Sequence, residues 1–160
     1  MRLSPDDGLH FLMNEPIDIP KVLLGAAHDM RSLSSVLDLP VNSIAACMRP
    51  AKHYRKIPLV KWDGSVRSIS APDDELKLIQ RAVLDKILGH ITLPKYVYGF
   101  ASGRGIVENA RAHAKGTHLL TADIKSFFPS VTYRQVKKMF VLLGASDFTA
   151  GVLTRLTTLD

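Results

Sequence analysis

The period at which apolar residues recur changes along the chain, and each change marks an expected element. In "ELKLIQRAVLDKILGHI", Leu76, Ile79, Val83, Ile87 and Leu88 return at three- and four-residue steps, while Lys77, Gln80, Arg81, Asp85 and Lys86 take other faces. This predicts an amphipathic helix with Asp73, Asp74 and Glu75 at its N-terminus, where negative charge is favoured. Before it, "RKIPLVKWDGSVRSISAP" holds two extended runs joined by Asp63-Gly64, which predicts a β-hairpin over residues 56 to 70, ended by Pro72. Farther on, "HLLTADI" reads as a short buried strand that ends at Asp123, with Pro129 closing the segment. "TYRQ" offers a capping box, Thr132 with Gln135, opening a helix that Gly144 stops, and a last helix begins at Ser146 or Asp147.

Between these regions, "YVYGFASGRGIVENARAHAKGTH" is a loop containing Gly99, Gly103 and Gly105 that leads into a helix through Ile106, Val107, Ala110 and Ala114. Residues 1 to 50 are cut by prolines at 5, 16, 20, 40 and 50. Two helices are expected there, one through "KVLLGAAHDM" and one near "PVNSIAACM", with Asn42 or Ser43 as cap and Ile44, Cys47 and Met48 on one face. Helices, a hairpin and a short strand in this order indicate an α+β fold.

At 160 residues the chain fits one domain, and 46% hydrophobic residues suffice for a core. No window approaches the roughly 18 to 20 apolar residues of a membrane span, and "MRLSPDDGLH" lacks signal-peptide order, so a cytoplasmic protein is expected. The single Cys47 excludes an internal disulfide, and the six histidines show no metal-ligand spacing with it, so no zinc site is expected. A net charge of +6 favours polyanionic partners, although on charge alone a solvated basic surface is the simpler reading.

Asp123 leaves an apolar run and is followed by Lys125 and the pair Phe127-Phe128. A carboxylate in that position either accepts hydrogen bonds from the following turn or meets a cation. Arg104 lies among glycines before a helix, a setting that suits phosphate, yet "GFASGRG" fits neither the dinucleotide fingerprint nor the P-loop, and an ordinary surface turn is the simpler reading.

Taken together, these segments resemble reverse transcriptases. "LLTADIKSFFPSV" is similar to the family's motif A, an apolar strand, an Asp and an aromatic five residues later, here Phe128. "IPLVKWDGSVRSISAP" resembles the fingers hairpin, "LKLIQRAVLDKIL" the helix after it, and "YGFASGRGIVENARAHAKGTHLLTADIKSFFPSV" the run joining fingers to palm. The resemblance covers about residues 54 to 158, in the family's order, and its short spacings with "FFPS" point to the bacterial retron type.

The resemblance implies a right-hand polymerase arrangement: a helical N-terminal extension (1–53), fingers (54–118) and the start of a palm (119–160). It implies an RNA-directed DNA polymerase that joins deoxynucleoside triphosphates to a DNA or RNA primer on an RNA template, with two Mg2+ ions about 3.5 to 4 Å apart. Asp123 matches the first metal-binding Asp, with the Ile124 backbone beside it. Ile124 and Lys125 would lie near the triphosphate, and Phe128 matches the gate that disfavours a 2′-hydroxyl. Arg67 matches the fingers arginine that pairs with phosphate and lies over a base. Lys61 is its candidate partner. A strict two-residue Asp63-Gly64 turn, however, pairs Lys61 with Val66 and turns it away from Arg67, so either the loop is wider or Lys61 is a solvated lysine. Gln80, Arg81, Arg104 and Asn109 fall in segments near the template path. A retron enzyme also implies a role in phage defence and an effector protein as partner.

One departure is large. The family's Tyr-x-Asp-Asp turn, with two further carboxylates, does not occur in the sequence. The expectation is therefore an N-terminal fragment that depends on a missing C-terminal half, or alternatively a non-catalytic nucleic-acid-binding module or remnant.

Overall fold

The computed structural model describes Leu24, Gly25 and residues 27–159. These fall into two compact units: residues 91–130 belong to one, and the flanking stretches 27–90 and 131–159 to the other. The architecture is α+β, helix-rich with one antiparallel hairpin.

The larger unit is organised by its helix caps. Helix α1, Met30–Leu37, opens with a reciprocal cap: Asp29 Oδ1 accepts from the Ser32 amide at 2.8 Å, and Ser32 Oγ accepts from the Asp29 amide at 3.0 Å. The helix expected across 21–30 lies largely outside the described residues, and residues 27–29 are not helical, because Asp29 starts a new helix instead. Helix α2, Val41–Ala46, begins behind Pro40 without a side-chain cap. Neither Asn42 nor Ser43 caps it, since both already lie inside the helix that Pro40 starts. Ile44 and Cys47 are buried as the pattern predicts.

A 3-10 turn, Pro50–His53, leads into strand β1, Tyr54–Val60, which pairs with β2, Val66–Pro72. Asp73 then caps helix α3, Asp74–Lys86, accepting from the Leu76 amide at 2.9 Å. Leu76, Ile79, Val83 and Ile87 are buried along one stripe, whereas Leu88 belongs to a separate 3-10 turn, Leu88–His90.

After residues 91–130 the chain returns to this unit. Those residues carry α4, Ile106–His113, and a single helical turn, α5, Phe127–Ser130. Helix α6, Tyr133–Leu142, has the predicted Thr132–Gln135 capping box, and it ends where Gly144 adopts a φ of 90°. Helix α7, Asp147–Thr157, starts at Ser146, whose Oγ accepts from the Thr149 amide at 3.1 Å.

The core forms where α3 meets α1 and α7, with α6 packed on α7. Phe140, Leu143, Ala150, Val152, Leu153 and Leu156 are buried there beside Leu33 and Leu37. Two buried hydroxyls are satisfied: Thr154 donates to the Ala150 carbonyl at 2.6 Å and Thr149 to that of Ala27. Full burial of one such Leu or Phe contributes about 1.5–3 kcal/mol, set against the conformational entropy lost when the residue is ordered.

Residues 91–130 are built otherwise. The strand expected at 119–124 is absent: the sole sheet among the described residues is the hairpin, and Leu119, Leu120 and Ile124 are exposed. A strand requires a ladder partner, and none of the described residues supplies one. Pro129 does not close the segment but sits inside α5, where a proline in the first turn removes no helical hydrogen bond.

Candidate nucleotide and nucleic-acid interface

The hairpin register decides where its cations point. Leu59 pairs with Arg67 and Val60 with Val66, while the Lys61 amide donates to the Ser65 carbonyl at 2.8 Å. The Gly64 amide donates back to Lys61 at 3.0 Å, and Gly64 alone in the turn has a positive φ, 80°. The connection is thus three residues, Trp62, Asp63 and Gly64, rather than the expected two. Lys61 faces Ser65 instead of Val66, and side-chain alternation puts Leu59, Lys61, Ser65 and Arg67 on one face. The extra residue brings together the two cations that a tighter turn would separate. Asp63 stiffens the turn, accepting from both the amide and the hydroxyl of Ser65, at 2.9 and 2.7 Å. Those bonds, the hydroxyl's first, hold its carboxyl below the usual aspartate range.

Asp123 lies in the other unit, on irregular chain immediately before a tight reversal. Lys125 and Ser126 form the turn, Ser126 in the left-handed region at φ 54°, and α5 follows. This places Phe127 and Phe128 edge to face, ring centres 5.4 Å apart, both substantially exposed. Asp123, Ile124 and Lys125 are exposed as well.

The remaining candidates divide by what already holds them. Gln80 Nε2 donates to both the Tyr54 hydroxyl and the Leu156 carbonyl, each at 2.9 Å, tying the hairpin root to the end of α7. The Arg104 guanidinium donates to the carbonyls of Pro94, Val97 and Leu93 at 2.5, 2.9 and 3.2 Å, gathering that loop around itself. Arg81 and Asn109 are exposed on α3 and α4.

One cluster was not legible in the spacing. His53 Nδ1 lies 2.8 Å from Asp73 Oδ2, and its Nε2 lies 3.2 Å from the Ala46 carbonyl. Both ring nitrogens face acceptors, an arrangement that the imidazolium satisfies fully. The bond to Asp73 raises the His53 pKa, and the Leu76 amide, with His53 behind it, lowers that of Asp73. Ligand atoms of Cys47, His53 and Glu75 lie within 4.8 Å of one another, a grouping the spacing did not predict because Glu75 arrives from another element. Burial, with Glu75 and Asp73 nearby, pushes the Cys47 thiol up to about 11, so it is a protonated thiol at neutral pH.

Comparison with known proteins ties these parts to one family. Residues 56–141 match the family model described as reverse transcriptase (RNA-dependent DNA polymerase). The chain belongs to the reverse transcriptase family.

Among similar curated proteins, the Retron Mx162 reverse transcriptase of Myxococcus xanthus is 39% identical over 108 residues, 68% of this chain and 22% of that protein. The Retron Mx65 reverse transcriptase of the same organism is 34% identical over 107 residues, 67% of this chain and 25% of the relative. The Retron Ec86 reverse transcriptase of Escherichia coli is 28% identical over 136 residues, 83% and 42% respectively. The reverse transcriptase chain is thus of retron type, and it covers between 22% and 42% of the length of these relatives.

Family membership implies divalent metal chemistry in general. Among the described residues Asp123 joins no group of three metal-ligating side chains, so in this reverse transcriptase chain it offers one carboxylate where a two-ion centre needs several. No helix among the described residues is long and apolar enough to cross a membrane.

Proposed function

We propose that this chain supplies the fingers and the first palm segment of a retron-type RNA-directed DNA polymerase acting in the cytoplasm. The observation that carries the reading is the hairpin register. Lys61 and Arg67 share a face, within one matched stretch that also contains Asp123 and Phe128. Two cations on adjoining strand positions suit the clustered negative charge of a nucleoside triphosphate, and the Arg67 guanidinium adds a flat surface for the base. Ile124 and Lys125 follow Asp123 beside the triphosphate. Phe128 packs under the sugar, where close packing resists an added 2′-hydroxyl.

Asp123 is the first carboxylate of the metal centre, with the Ile124 carbonyl beside it. When bound there with carboxylates from elsewhere in the polymerase, Mg2+ would stabilise the attacking and leaving oxygens of nucleotidyl transfer. Arg81 and Asn109, exposed on their helices, line the path of an RNA template and its DNA or RNA primer. Gln80 and Arg104 support that path by holding the hairpin root and the 93–104 loop. Kinship to retron enzymes supports a role in phage defence alongside an effector protein.

The test is Mg2+-dependent DNA synthesis on an RNA template by the product of the complete reading frame containing this chain. Asp123→Asn should lower synthesis at least about a thousandfold, a loss of about 4 kcal/mol in transition-state stabilisation, and leave RNA binding intact. Synthesis that survives the substitution removes Asp123 from the metal centre. RNA binding without any synthesis, by the wild-type product, favours the second reading, a non-catalytic nucleic-acid-binding module. The basic balance of the hairpin supports that alternative equally well.

A further inference from the structure

Three elements meet at the root of the hairpin. Cys47 closes α2, His53 ends the 3-10 turn that enters β1, and Glu75 stands in the first turn of α3, just past the exit from β2. The Asp73 amide donates to the His53 carbonyl at 2.7 Å, which holds entry and exit together. One ligand atom from each of Cys47, His53 and Glu75 lies within 4.8 Å of the other two, the sulfur buried, the imidazole partly buried and the carboxylate exposed. All three belong to the larger unit, whereas Asp123 lies in the other.

The donor types select the ion. Sulfur, imidazole and carboxylate together make a zinc set, whereas magnesium takes oxygen alone. A thiolate and a carboxylate carry two negative charges, which a divalent ion cancels, so the partly buried site becomes neutral. The histidine is already oriented for the task. Its Nδ1 lies 2.8 Å from Asp73 Oδ2, a bond that keeps a proton on Nδ1 and leaves Nε2 as the ligating nitrogen. Nε2 faces the Ala46 carbonyl at 3.2 Å, where two electron-rich atoms meet unless a proton or a metal ion intervenes. Ligand atoms about 2.0–2.3 Å from a tetrahedral zinc stand about 3.4–3.6 Å apart, so the set has to close by about 1.4 Å at most. The exposed Glu75 side chain can swing that far. Cys47 and His53 alone make no zinc spacing, and the carboxylate arriving on α3 completes the set.

We infer that Cys47, His53 and Glu75 bind a Zn2+ ion that ties α2, the start of β1 and α3 together, with water in the fourth position and Asp73 positioning His53. Coordination forms the Zn–S bond and sends the Cys47 proton to solvent, so the ion must outcompete a thiol that burial keeps protonated. The inference is independent of the polymerase reading. This ion braces the hairpin root and takes no part in nucleotidyl transfer.

The test uses the untagged, reduced 160-residue chain and two metal ions alone. Co2+ bonded to a thiolate gives a sulfur-to-metal charge-transfer absorption band, and Zn2+ displacing it erases the band. One ion per chain should bind, and Zn2+ should raise the melting temperature. Cys47→Ala should remove the band and weaken Zn2+ binding at least about a hundredfold. Glu75→Gln should keep the band and weaken binding about tenfold, and because Glu75 is exposed its melt in chelator should match the wild type. Asp73→Asn, which still caps α3, should weaken binding about 10- to 100-fold while the full band returns at saturating Co2+. A wild-type chain without the band overturns the inference, as does wild-type Zn2+ affinity in Cys47→Ala, which would place the ion on other histidines. If Cys47→Ala fails to fold, Glu75→Gln decides, and unchanged affinity there overturns the site. Unchanged affinity in Asp73→Asn overturns the positioning role.

Discussion

The helical unit and the 91–130 segment follow opposite logics. In the first, each helix begins on a side-chain or proline cap and turns its apolar stripe inward, so Leu33, Ile79, Phe140 and Leu153 are buried. In the second, Leu119, Leu120, Ile124, Phe127 and Phe128 are all exposed, and order comes from local devices: the Arg104 clamp, the Ser126 reversal and the α5 turn. Leu119, Leu120 and Ile124 flank Asp123 in sequence and are exposed, so this segment gains little from burying them. The scaffold buries its apolar stripes, and the segment proposed to carry the chemistry leaves its own exposed.

That contrast is broken most directly by paired truncations. Phe140→Ala should destabilise the chain by about 3–5 kcal/mol, because it empties a filled core site, whereas Leu120→Ala, at 91% exposure, should stay within about 0.5 kcal/mol. Denaturant titration of both decides it, and comparable losses would mean that Leu120 is covered after all. A smaller effect sharpens the comparison at the hairpin root. Gln80→Ala removes a donor shared by Tyr54 and Leu156, and should cost about 1–2 kcal/mol in the same titration. No change would show that the root is held by strand packing instead.

The smallest effect is a pH profile. The His53 pKa is raised, so its contribution is complete below the ordinary histidine range and is lost as pH rises through the folded value. That of Asp73 is lowered, so its contribution is present above the ordinary aspartate range and is lost as pH falls through the folded value. Unfolding free energy should therefore decline on both sides of a mildly acidic plateau. His53→Gln should flatten the alkaline slope near neutrality, and an unaltered slope would assign it to other groups.

The sequence was most informative where structure is decided locally. Asp73, Thr132 with Gln135, Ser146 and Gly144 announce their helix ends, and the structure uses each as read. Helix α1 carries Asp29 and Ser32 at capping-box spacing, but serines at 32, 34 and 35 obscure its apolar stripe in the sequence. The 119–124 strand failed for a different reason: an apolar run is a local fact, whereas a strand is a relation between two segments. The His53–Asp73 pair likewise depends on two elements meeting, which no spacing rule encodes. At the candidate site, the residue types were legible, but the shared face of Lys61 and Arg67 depended on one added turn residue.

The width of that turn makes the hairpin a parity device. A slip of one residue in the pairing of the two strands would send Lys61 and Arg67 to opposite faces, while a slip of two would return them to one face. An exposed loop is ordinarily the most forgiving place for a change of length. Here a change of length should be tolerated only while the Val60–Val66 pairing stays in place, so that register constrains the hairpin more tightly than the composition of its tip does.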